Sequence, residues 1–290
     1  MATAADTAVN HDVRATIMYA APMSGRARLD VVDPSRTHLA LEPHDMAIRD
    51  ARGLARPHTL DANGFAFARH PSSVASDPAL FAAADNAAQV SQDGLLGTYA
   101  DEMAQWLRGV LGTSRVVPQV GSFIARTSKR AAKPTWAATA DMAHLDYTEE
   151  AARRFLAWNA ELTGEALRPC RHYVFIQTWR AVSPGPQDNT LAICDGASVL
   201  PEDGVEVDAA LGPEGVPGKN FPFRICRHRP GHEWFYLSDM TPSDVLLFKG
   251  FDSRQPLAMN AMHSAFDNPA AGPDAAPRRS IEARFIAFYD

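Results

Sequence analysis

After Pro169 the chain alternates short apolar runs with loops that are rich in proline and glycine. Seven runs have the length and the β-branched or aromatic content that is typical of strands: His172 to Val182, Leu191 to Asp195, Asn220 to Arg229, Glu233 to Met240, Val245 to Phe251, Ala258 to Phe266 and Ser280 to Tyr289. They do not alternate regularly with helices, which favours an all-β sandwich or barrel over a doubly wound sheet. The pattern best fits a double-stranded β-helix, the cupin-like jelly roll, over about residues 140–290.

The first part of the chain, to about residue 140, mixes strands with helices. Extended segments are predicted at Arg14 to Tyr19 and Ala27 to Val32, and a hairpin is predicted around Asp61 to Gly64. Between Leu95 and Leu111 apolar residues recur at spacings of three and four, which predicts an amphipathic helix. We therefore expect a mainly β fold with flanking helices.

A second helix is expected to begin near Thr148, because two acidic residues follow it, and to continue to about Leu162. Neither an internal repeat nor a shift in composition marks a domain boundary. We expect one domain over residues 1–290, of which residues 1–12 are flexible.

Composition is that of a soluble globular protein. The chain has 290 residues, of which 46% are hydrophobic and 21% are charged, so it can bury a sizeable core. Its net charge is −6 and its basic residues occur only in short groups such as Arg224 to Arg229, which argues against nucleic-acid or anionic-membrane partners. We find no signal peptide, no long apolar run and no C-x-x-C pair among three cysteines, and expect a cytoplasmic protein with reduced thiols.

One tripeptide, His144-Leu145-Asp146, carries the main chemical signal. Side chains two positions apart on an extended segment point to the same face, so His144 and Asp146 can bind one metal ion. A third ligand must come from a distant strand, and His263 follows Asp146 by 117 residues (263 minus 146). Two imidazoles and one carboxylate leave an open face on an octahedral ion, which Fe(II) needs to bind an oxidisable acid and O2. Because about one His-x-acid match is expected by chance, the order and context of the motif matter.

Arg278 and Ser280 open the last predicted strand and together offer a carboxylate clamp. A guanidinium gives a two-pronged contact to a carboxylate, and a neighbouring hydroxyl can complete it. Every second residue shares a strand face, which places Glu282 and Arg284 beside this pair and makes Arg284 a competitor. Arg278 follows His263 by only 15 residues (278 minus 263), and six residues of strand span about 20 Å. We therefore expect Arg278 with Ser280 to bind the acid and Arg284 to form an ion pair.

These motifs resemble those of non-heme Fe(II)/2-oxoglutarate-dependent oxygenases, in the hydroxylase/desaturase group that includes gibberellin desaturase and enzymes of cephamycin and aspergillic acid biosynthesis. The resemblance extends over nearly the whole chain and rests on Leu60 to Phe65, His144 to Thr148, Trp179-Arg180, Cys194 to Gly196, Pro230 to Leu237, Met240 to Pro242, Phe251 to Ser253 and Arg278 to Glu282. It implies a jelly roll with His144, Asp146 and His263 as catalytic iron ligands, 2-oxoglutarate as cosubstrate, O2 and a small secondary metabolite as substrate. It also implies that decarboxylation of 2-oxoglutarate to succinate is coupled to hydroxylation, desaturation or cyclisation.

Other residues are candidates for the same pocket. Gln177 and Trp179 share a strand face and could line the cosubstrate or substrate site, although core packing explains a tryptophan equally well. Tyr147 could line the entrance or simply pack at a strand end. Arg180 and Asp195 are candidates for a structural ion pair.

Two other functions remain compatible with the pattern. The same triad could hold Zn(II) and activate water in a hydrolase, which would not couple O2 consumption to 2-oxoglutarate. A jelly roll could also bind a small molecule without catalysis, in which case a damaged triad or clamp would be expected. Halogenation is disfavoured because Asp146 keeps the carboxylate ligand. The sequence leaves open the substrate, the reaction outcome and the oligomeric state.

Overall fold

The computed structural model describes residues 11–80, 82, 94–131, 139–164, 169–216, 218–256 and 260–290. The strands are β1 Val13–Ala20, β2 Ala27–Asp30, β3 Leu41–Asp50, β4 Phe65–Arg69, β5 Arg115–Thr127, β6 His144–Leu145, β7 His172–Ala181, β8 Asn189–Cys194, β9 Gly204–Ala210, β10 Asn220–Cys226, β11 Trp234–Tyr236, β12 Asp244–Asp252, β13 His263–Asp267 and β14 Arg279–Tyr289. The helices are α1 Leu60–Asn63, α2 Gly94–Leu111 and α3 Glu149–Thr163.

Two sheets form the core. The larger has the strand order β1-β3-β11-β8-β13-β6-β10-β9-β2, and the smaller has the order β4-β12-β7-β14-β5. Apolar side chains of both sheets meet in shared clusters, such as Trp179 and Phe248 of the smaller sheet with Ile193 and Phe235 of the larger one. This architecture confirms the predicted mainly β, jelly-roll class.

The N-terminal strands occupy the outer positions of these sheets. In the larger sheet β1, β3 and β2 flank six strands that lie after residue 140, and in the smaller sheet β4 and β5 flank β12, β7 and β14. The central strands are buried along nearly their whole length, as β12 is at every position. The centre of the fold is therefore built from the part of the chain in which the jelly roll was predicted.

The two long helices agree with their sequence patterns. Helix α2 packs Tyr99, Met103 and Leu107 on one face of the smaller sheet, against alternate residues of β14 such as Phe285. Helix α3 begins after Thr148, whose side-chain oxygen accepts a hydrogen bond from the Ala151 backbone N–H at 3.1 Å. No helix in the described part of the chain combines the length and the apolar run that a bilayer crossing requires.

The predicted hairpin around Asp61 to Gly64 is wrong. The Thr59 hydroxyl accepts from the Ala62 N–H at 3.2 Å, and Gly64 adopts a left-handed conformation with φ of 78°. This glycine donates its N–H back to the Leu60 carbonyl. These two contacts cap the single helical turn α1 at both ends. The backbone groups that a hairpin would have paired between strands are therefore satisfied within the turn.

Other boundaries differ in extent. The strand predicted from Glu233 to Met240 is only β11, and the one predicted from Ala258 begins at His263, with residues 257–259 outside the described part. Residues 1–10 of the terminus that was predicted to be flexible also lie outside it. Of the next two residues, the His11 carbonyl accepts from the Tyr236 hydroxyl at 2.5 Å, and Asp12 accepts from the Asp50 N–H at 2.8 Å.

Candidate metal centre and cosubstrate pocket

His144 and His263 face each other across neighbouring strands. They are Cα partners in the antiparallel β6 and β13 pair, and their ring centroids lie 4.1 Å apart. Asp146 follows the end of β6, with its Oδ1 3.8 Å from His144 Nε2 and its Oδ2 3.4 Å from His263 Nε2. One nitrogen or oxygen of each residue lies within 4.8 Å of the others, and no other such trio occurs among the described residues. The fold thus brings together the three residues that the sequence predicted as metal ligands.

Backbone carbonyls orient both imidazoles. His144 Nδ1 lies 2.8 Å from the Met142 carbonyl, and His263 Nδ1 lies 3.1 Å from the Ala261 carbonyl. A carbonyl can only accept, so each Nδ1 carries a proton, and each Nε2 is the ring nitrogen that faces Asp146. Burial, followed by the neighbouring His263, lowers the pKa of His144 to about 3. The His144 imidazole is therefore neutral and ready to coordinate at pH 7.

The Asp146 carboxylate is held in its ionised form. Gln177 Nε2 donates to its Oδ2 at 2.8 Å, and Arg284 Nη2 donates to its Oδ1 at 3.2 Å. Burial raises the pKa of Asp146, but Arg284 and then the two imidazoles outweigh that effect and hold the pKa well below its usual value. The trio thus presents two imidazoles and one carboxylate anion, a donor set that suits Fe(II).

A small cavity between the two sheets opens beside this trio. It is lined by Arg126, Ala140, His144, Asp146, Trp179, Leu191, His263, Ala265, Arg278, Glu282 and Arg284. Arg278 is only 1% exposed, and its Nε and Nη1 have no hydrogen-bond partner among the described residues. The Ser280 hydroxyl is also buried and has no partner in the described part of the chain. Unpaired buried donors of this kind are costly, and an anion bound between them would satisfy both residues.

The Arg278 side chain is firmly placed. Its guanidinium lies 5.5 Å above the Trp179 ring, its backbone N–H donates to Asp188 Oδ1 at 2.7 Å, and its carbonyl accepts from the Ser128 N–H at 3.0 Å. Burial, followed by the nearby Arg126, lowers the pKa of Arg278 to about 9. Arg278 therefore stays cationic at pH 7 and presents an unpaired charge to the cavity.

The separation argued from the sequence between the two arginines of the last strand is wrong. Arg278 and Arg284 line the same cavity, because their side chains converge although their positions lie six residues apart. The ion pair expected for Arg284 is present, since its Nε donates to Glu282 Oε1 at 2.5 Å. Both residues line the cavity, but they differ in their partners, because Arg284 is already paired with two carboxylates.

The two pocket residues predicted on β7 have different surroundings. Trp179 lines the cavity as expected, whereas Gln177 is fully buried next to it and contacts Asp146. Tyr147 is also fully buried and donates to Gln119 Oε1 at 2.5 Å, so it packs inside the protein and does not line an entrance.

The predicted Arg180–Asp195 pair does not form. Arg180 donates to the carbonyls of His70 and Pro242, and Asp195 accepts from Asn63 Nδ2 at 2.8 Å. Arg180 lies in β7, whereas Asp195 follows the end of β8, and no local pattern in the sequence indicates the partners of either residue.

Sequence reasoning missed Arg126 and did not give Glu282 a place in the pocket. Arg126 is the Cα partner of Ser280 in the β5 and β14 pair, so both side chains lie on the cavity face of the smaller sheet. The alternation of β14 already places Glu282 on that face. The sequence does not indicate which residue of β5 lies opposite Ser280, because the pairing of β5 with β14 is irregular at Arg284.

Comparisons with known proteins agree with this site. The family model described as Oxidoreductase/YMDC permease-like domain matches residues 17–288. Hydroxylase/desaturase asaB of Aspergillus flavus is 30% identical over 133 residues, which are 41% of this chain and 56% of that protein. Fe(II)/2-oxoglutarate-dependent dioxygenase nvfI of Aspergillus novofumigatus is 28% identical over 252 residues, which are 85% of this chain and 84% of that protein. The chain belongs to this oxidoreductase family and is an Fe(II)/2-oxoglutarate-dependent oxygenase.

A solved structure shows the same fold. The iron and alpha-ketoglutarate-dependent endoperoxidase NvfI covers 96% of the oxygenase and 98% of its own chain with a TM-score of 0.77, at 23% identity. Fe(II), 2-oxoglutarate and O2 are the cofactor and cosubstrates of the oxygenase. The hydrolase and binding-protein interpretations are therefore set aside, since the triad and Arg278 of the predicted clamp line one cavity.

Proposed function

We propose that the oxygenase oxidises a small secondary metabolite, with Fe(II) bound by His144, Asp146 and His263 and with 2-oxoglutarate bound by Arg278 and Ser280. When bound, iron and 2-oxoglutarate supply an O2-dependent oxidation in which 2-oxoglutarate loses CO2 to give succinate and hydrogen is removed from a substrate C–H bond. The observation that supports this most strongly is the cavity itself, which has the three metal-binding side chains and an unpaired buried guanidinium on its walls.

Three residues of the chain are placed to bind the cosubstrate. Arg278 offers Nε and Nη1 to the far carboxylate, and Ser280 adds a hydroxyl donor beside them. The Trp179 ring supports the guanidinium from below and narrows the space beside it. We therefore assign Arg278 and Ser280 as the clamp, and Trp179 as a wall of the same subsite.

The substrate class follows from the cavity and the relatives. Leu191, Ala140 and Ala265 give the cavity an apolar side that suits a hydrocarbon skeleton. Relatives are named hydroxylase/desaturase, as CTB9 of Cercospora beticola is at 26% identity over 86% of this chain. We propose hydroxylation, desaturation or oxidative cyclisation as the outcome. The net charge of −6 supports neither a nucleic-acid nor an anionic-membrane partner.

We also propose one catalytic domain and a cytoplasmic location. The single domain is supported by the sharing of both sheets between N-terminal and C-terminal strands. The location is supported by the three cysteines, Cys170, Cys194 and Cys226, which are free thiols as expected in a reducing compartment.

An anaerobic titration tests the proposal. Adding Fe(II) and then 2-oxoglutarate to the metal-free protein should produce the weak visible charge-transfer band of a chelated 2-oxoacid, with one equivalent of each. Oxygen uptake should then depend on 2-oxoglutarate and rise with a compound from a small-molecule extract of the producing cell. Absence of the band, or stimulation by protein or nucleic acid alone, would contradict the proposal.

A further inference from the structure

Asp188 links the two sheets beside the cavity. It lies one residue before β8, a strand of the larger sheet that pairs with β13, the strand of His263. Its carboxylate reaches the smaller sheet, where Oδ1 accepts from the Arg278 N–H at 2.7 Å and Oδ2 accepts from the Ser128 hydroxyl at 2.7 Å. Ser128 follows the end of β5, and Arg278 precedes β14. One buried side chain therefore joins two strand ends of the smaller sheet to the larger sheet.

Arg278 depends on this contact because it precedes the paired part of its strand. The pairing of β14 with β5 begins at Arg279, and its pairing with β7 begins at Ser280. The Arg278 backbone is held at its N–H by Asp188 and at its carbonyl by the Ser128 N–H, at 3.0 Å. Because the backbone sets the direction of the Cα–Cβ bond, these contacts determine where the Arg278 side chain enters the cavity.

Asp188 also anchors both ends of the loop that leads from β13 to β14. At one end the Asn268 N–H donates to the Asp188 carbonyl at 2.9 Å, and at the other the Arg278 N–H donates to the Asp188 carboxylate. The separation between the His263 strand and the Arg278 guanidinium therefore depends on Asp188. Asp188 itself is not among the described residues that line the cavity, so it can act there only through Arg278.

We propose that Asp188 is a positioning residue of the cosubstrate site, which holds Arg278 at the separation from the metal ligands that the far carboxylate of 2-oxoglutarate requires. This inference rests on the proposed function, in which 2-oxoglutarate would extend from the metal ligands to Arg278. Without the Asp188 carboxylate, the buried Arg278 N–H would lose its acceptor, and the cost of an unpaired donor favours a shift of the strand end. Such a shift should weaken ligands that have a far carboxylate and leave other 2-oxoacids unaffected.

Two ligands isolate the contact with the far carboxylate. 2-Oxoglutarate and 2-oxopentanoate have the same chain length and the same 2-oxoacid group for the metal, but 2-oxopentanoate ends in a methyl group. Both affinities are measured without O2 at saturating Fe(II), from the charge-transfer band. The ratio of the two affinities reports the clamp alone, because a general loosening of the metal site weakens both ligands.

The decisive variant is Asp188→Ala, and Asp50→Ala is its matched control. Asp50 is also buried, and its carboxylate accepts from the N–H of Ser238 at 3.0 Å and from its hydroxyl at 2.7 Å. Both variants therefore lose a bond to a backbone N–H and a bond to a serine hydroxyl, and urea unfolding should show that both are destabilised. Of the two aspartates, only Asp188 holds a residue of the proposed clamp.

In Asp188→Ala we expect the affinity ratio to fall about ten- to a hundredfold, since misplacing a binding group by about 1 Å can cost up to about a hundredfold. Fe(II) affinity should match that of the parent protein, and Asp50→Ala should keep the parental ratio. A folded Asp188→Ala protein that keeps the parental ratio, even with both ligands weakened, would refute the proposal. Should Asp188→Ala not fold, Asp188→Ser decides, because its single oxygen on a shorter side chain cannot bind Ser128 and Arg278 together.

Failure of the proposed function would look different, because it would already appear in the parent protein. A parent protein without the charge-transfer band would lack the iron site, and one that binds the two ligands equally would lack the far-carboxylate clamp. Either result would overturn this inference together with the proposed function. A parental ratio well above one that is unchanged in Asp188→Ala would overturn only the role of Asp188.

Discussion

His144 and His263 are direct cross-strand partners, although 119 positions separate them along the chain (263 minus 144). Strand β6 contains only two residues and is held between β13 and β10. These two proposed metal ligands therefore meet because the jelly-roll topology inserts a very short strand between two longer ones. A metal ion at this point would also tie the end of β6 to β13.

His263→Ala should abolish stoichiometric Fe(II) binding, because only His144 and Asp146 would remain to bind the metal. The change removes a buried polar side chain and leaves no charge unpaired, so the fold should persist. Anaerobic equilibrium dialysis measures the number of bound Fe(II) ions. His38→Ala is the control, since His38 is exposed and contacts the Ser24 carbonyl. One equivalent of tightly bound Fe(II) in His263→Ala would refute the assignment.

Two of the three proposed metal ligands could be predicted from local information in the sequence, whereas His263 reaches them only through the pairing of β6 with β13. His144 and Asp146 are two positions apart on an extended segment, and strand alternation alone places them on one face. The same rule placed Ser280, Glu282 and Arg284 on one face of β14, as the structure shows. Strand alternation was therefore sufficient to predict which face of its own strand a side chain lies on.

The roles of Gln177 and Arg284 could not be predicted in this way. Their contact with Asp146 depends on the register between β7 and β14 and on the distance between two sheets, and neither is written in a local pattern. The distance argument that placed Arg284 away from the site of Arg278 was wrong for the same reason: strand length measures the distance between backbones, whereas long side chains converge on one cavity. At α1 the Asn-Gly pair was misjudged because Thr59 caps a helical turn.

Arg278→Gln should raise the 2-oxoglutarate concentration needed for half-maximal turnover by at least about a hundredfold, since loss of one partner of a buried charge pair costs roughly 3–5 kcal/mol. Fe(II) binding should change little, because Arg278 contacts none of the three metal-binding residues in the hydrogen bonds observed. Steady-state kinetics and anaerobic Fe(II) titration measure the two effects.

The neighbouring Arg279 provides a matched control for this variant. It is exposed, whereas Arg278 is buried, so Arg279→Gln should retain the parental requirement for 2-oxoglutarate. A selective 2-oxoglutarate defect in a folded Arg284→Gln protein, together with a normal Arg278→Gln protein, would reverse the roles assigned to the two arginines.

Gly250→Ala should destabilise the protein by about 1–3 kcal/mol, the usual cost of overpacking a core. A Cβ at this position would lie 2.5 Å and 2.6 Å from two carbons of the Tyr147 ring. That ring cannot withdraw, because Phe175 packs on it at 4.8 Å and its hydroxyl is bonded to Gln119. Urea unfolding measures the change, with Gly53→Ala as the control, since nothing lies within 4 Å of its added Cβ. Equal unfolding midpoints for the two variants would contradict the predicted clash.

Acidification should destabilise the metal-free protein through His144. Burial, followed by His263, lowers the pKa of its imidazole to about 3 in the folded state, against an ordinary value of about 6.5 in the unfolded chain. Between those values the unfolded chain binds a proton that the folded protein does not. The free energy of unfolding therefore falls as the pH drops below about 6.5, by up to about 1.4 kcal/mol per pH unit from this group.

His144→Gln isolates this contribution, because it removes the titrating ring and keeps a polar side chain. Its free energy of unfolding, measured by urea denaturation of the metal-free protein, should fall less steeply than that of the parent between about pH 6.5 and about pH 5. Parallel slopes for the parent and His144→Gln would mean that the buried imidazole is already protonated in the folded protein, and that Fe(II) must displace this proton to bind.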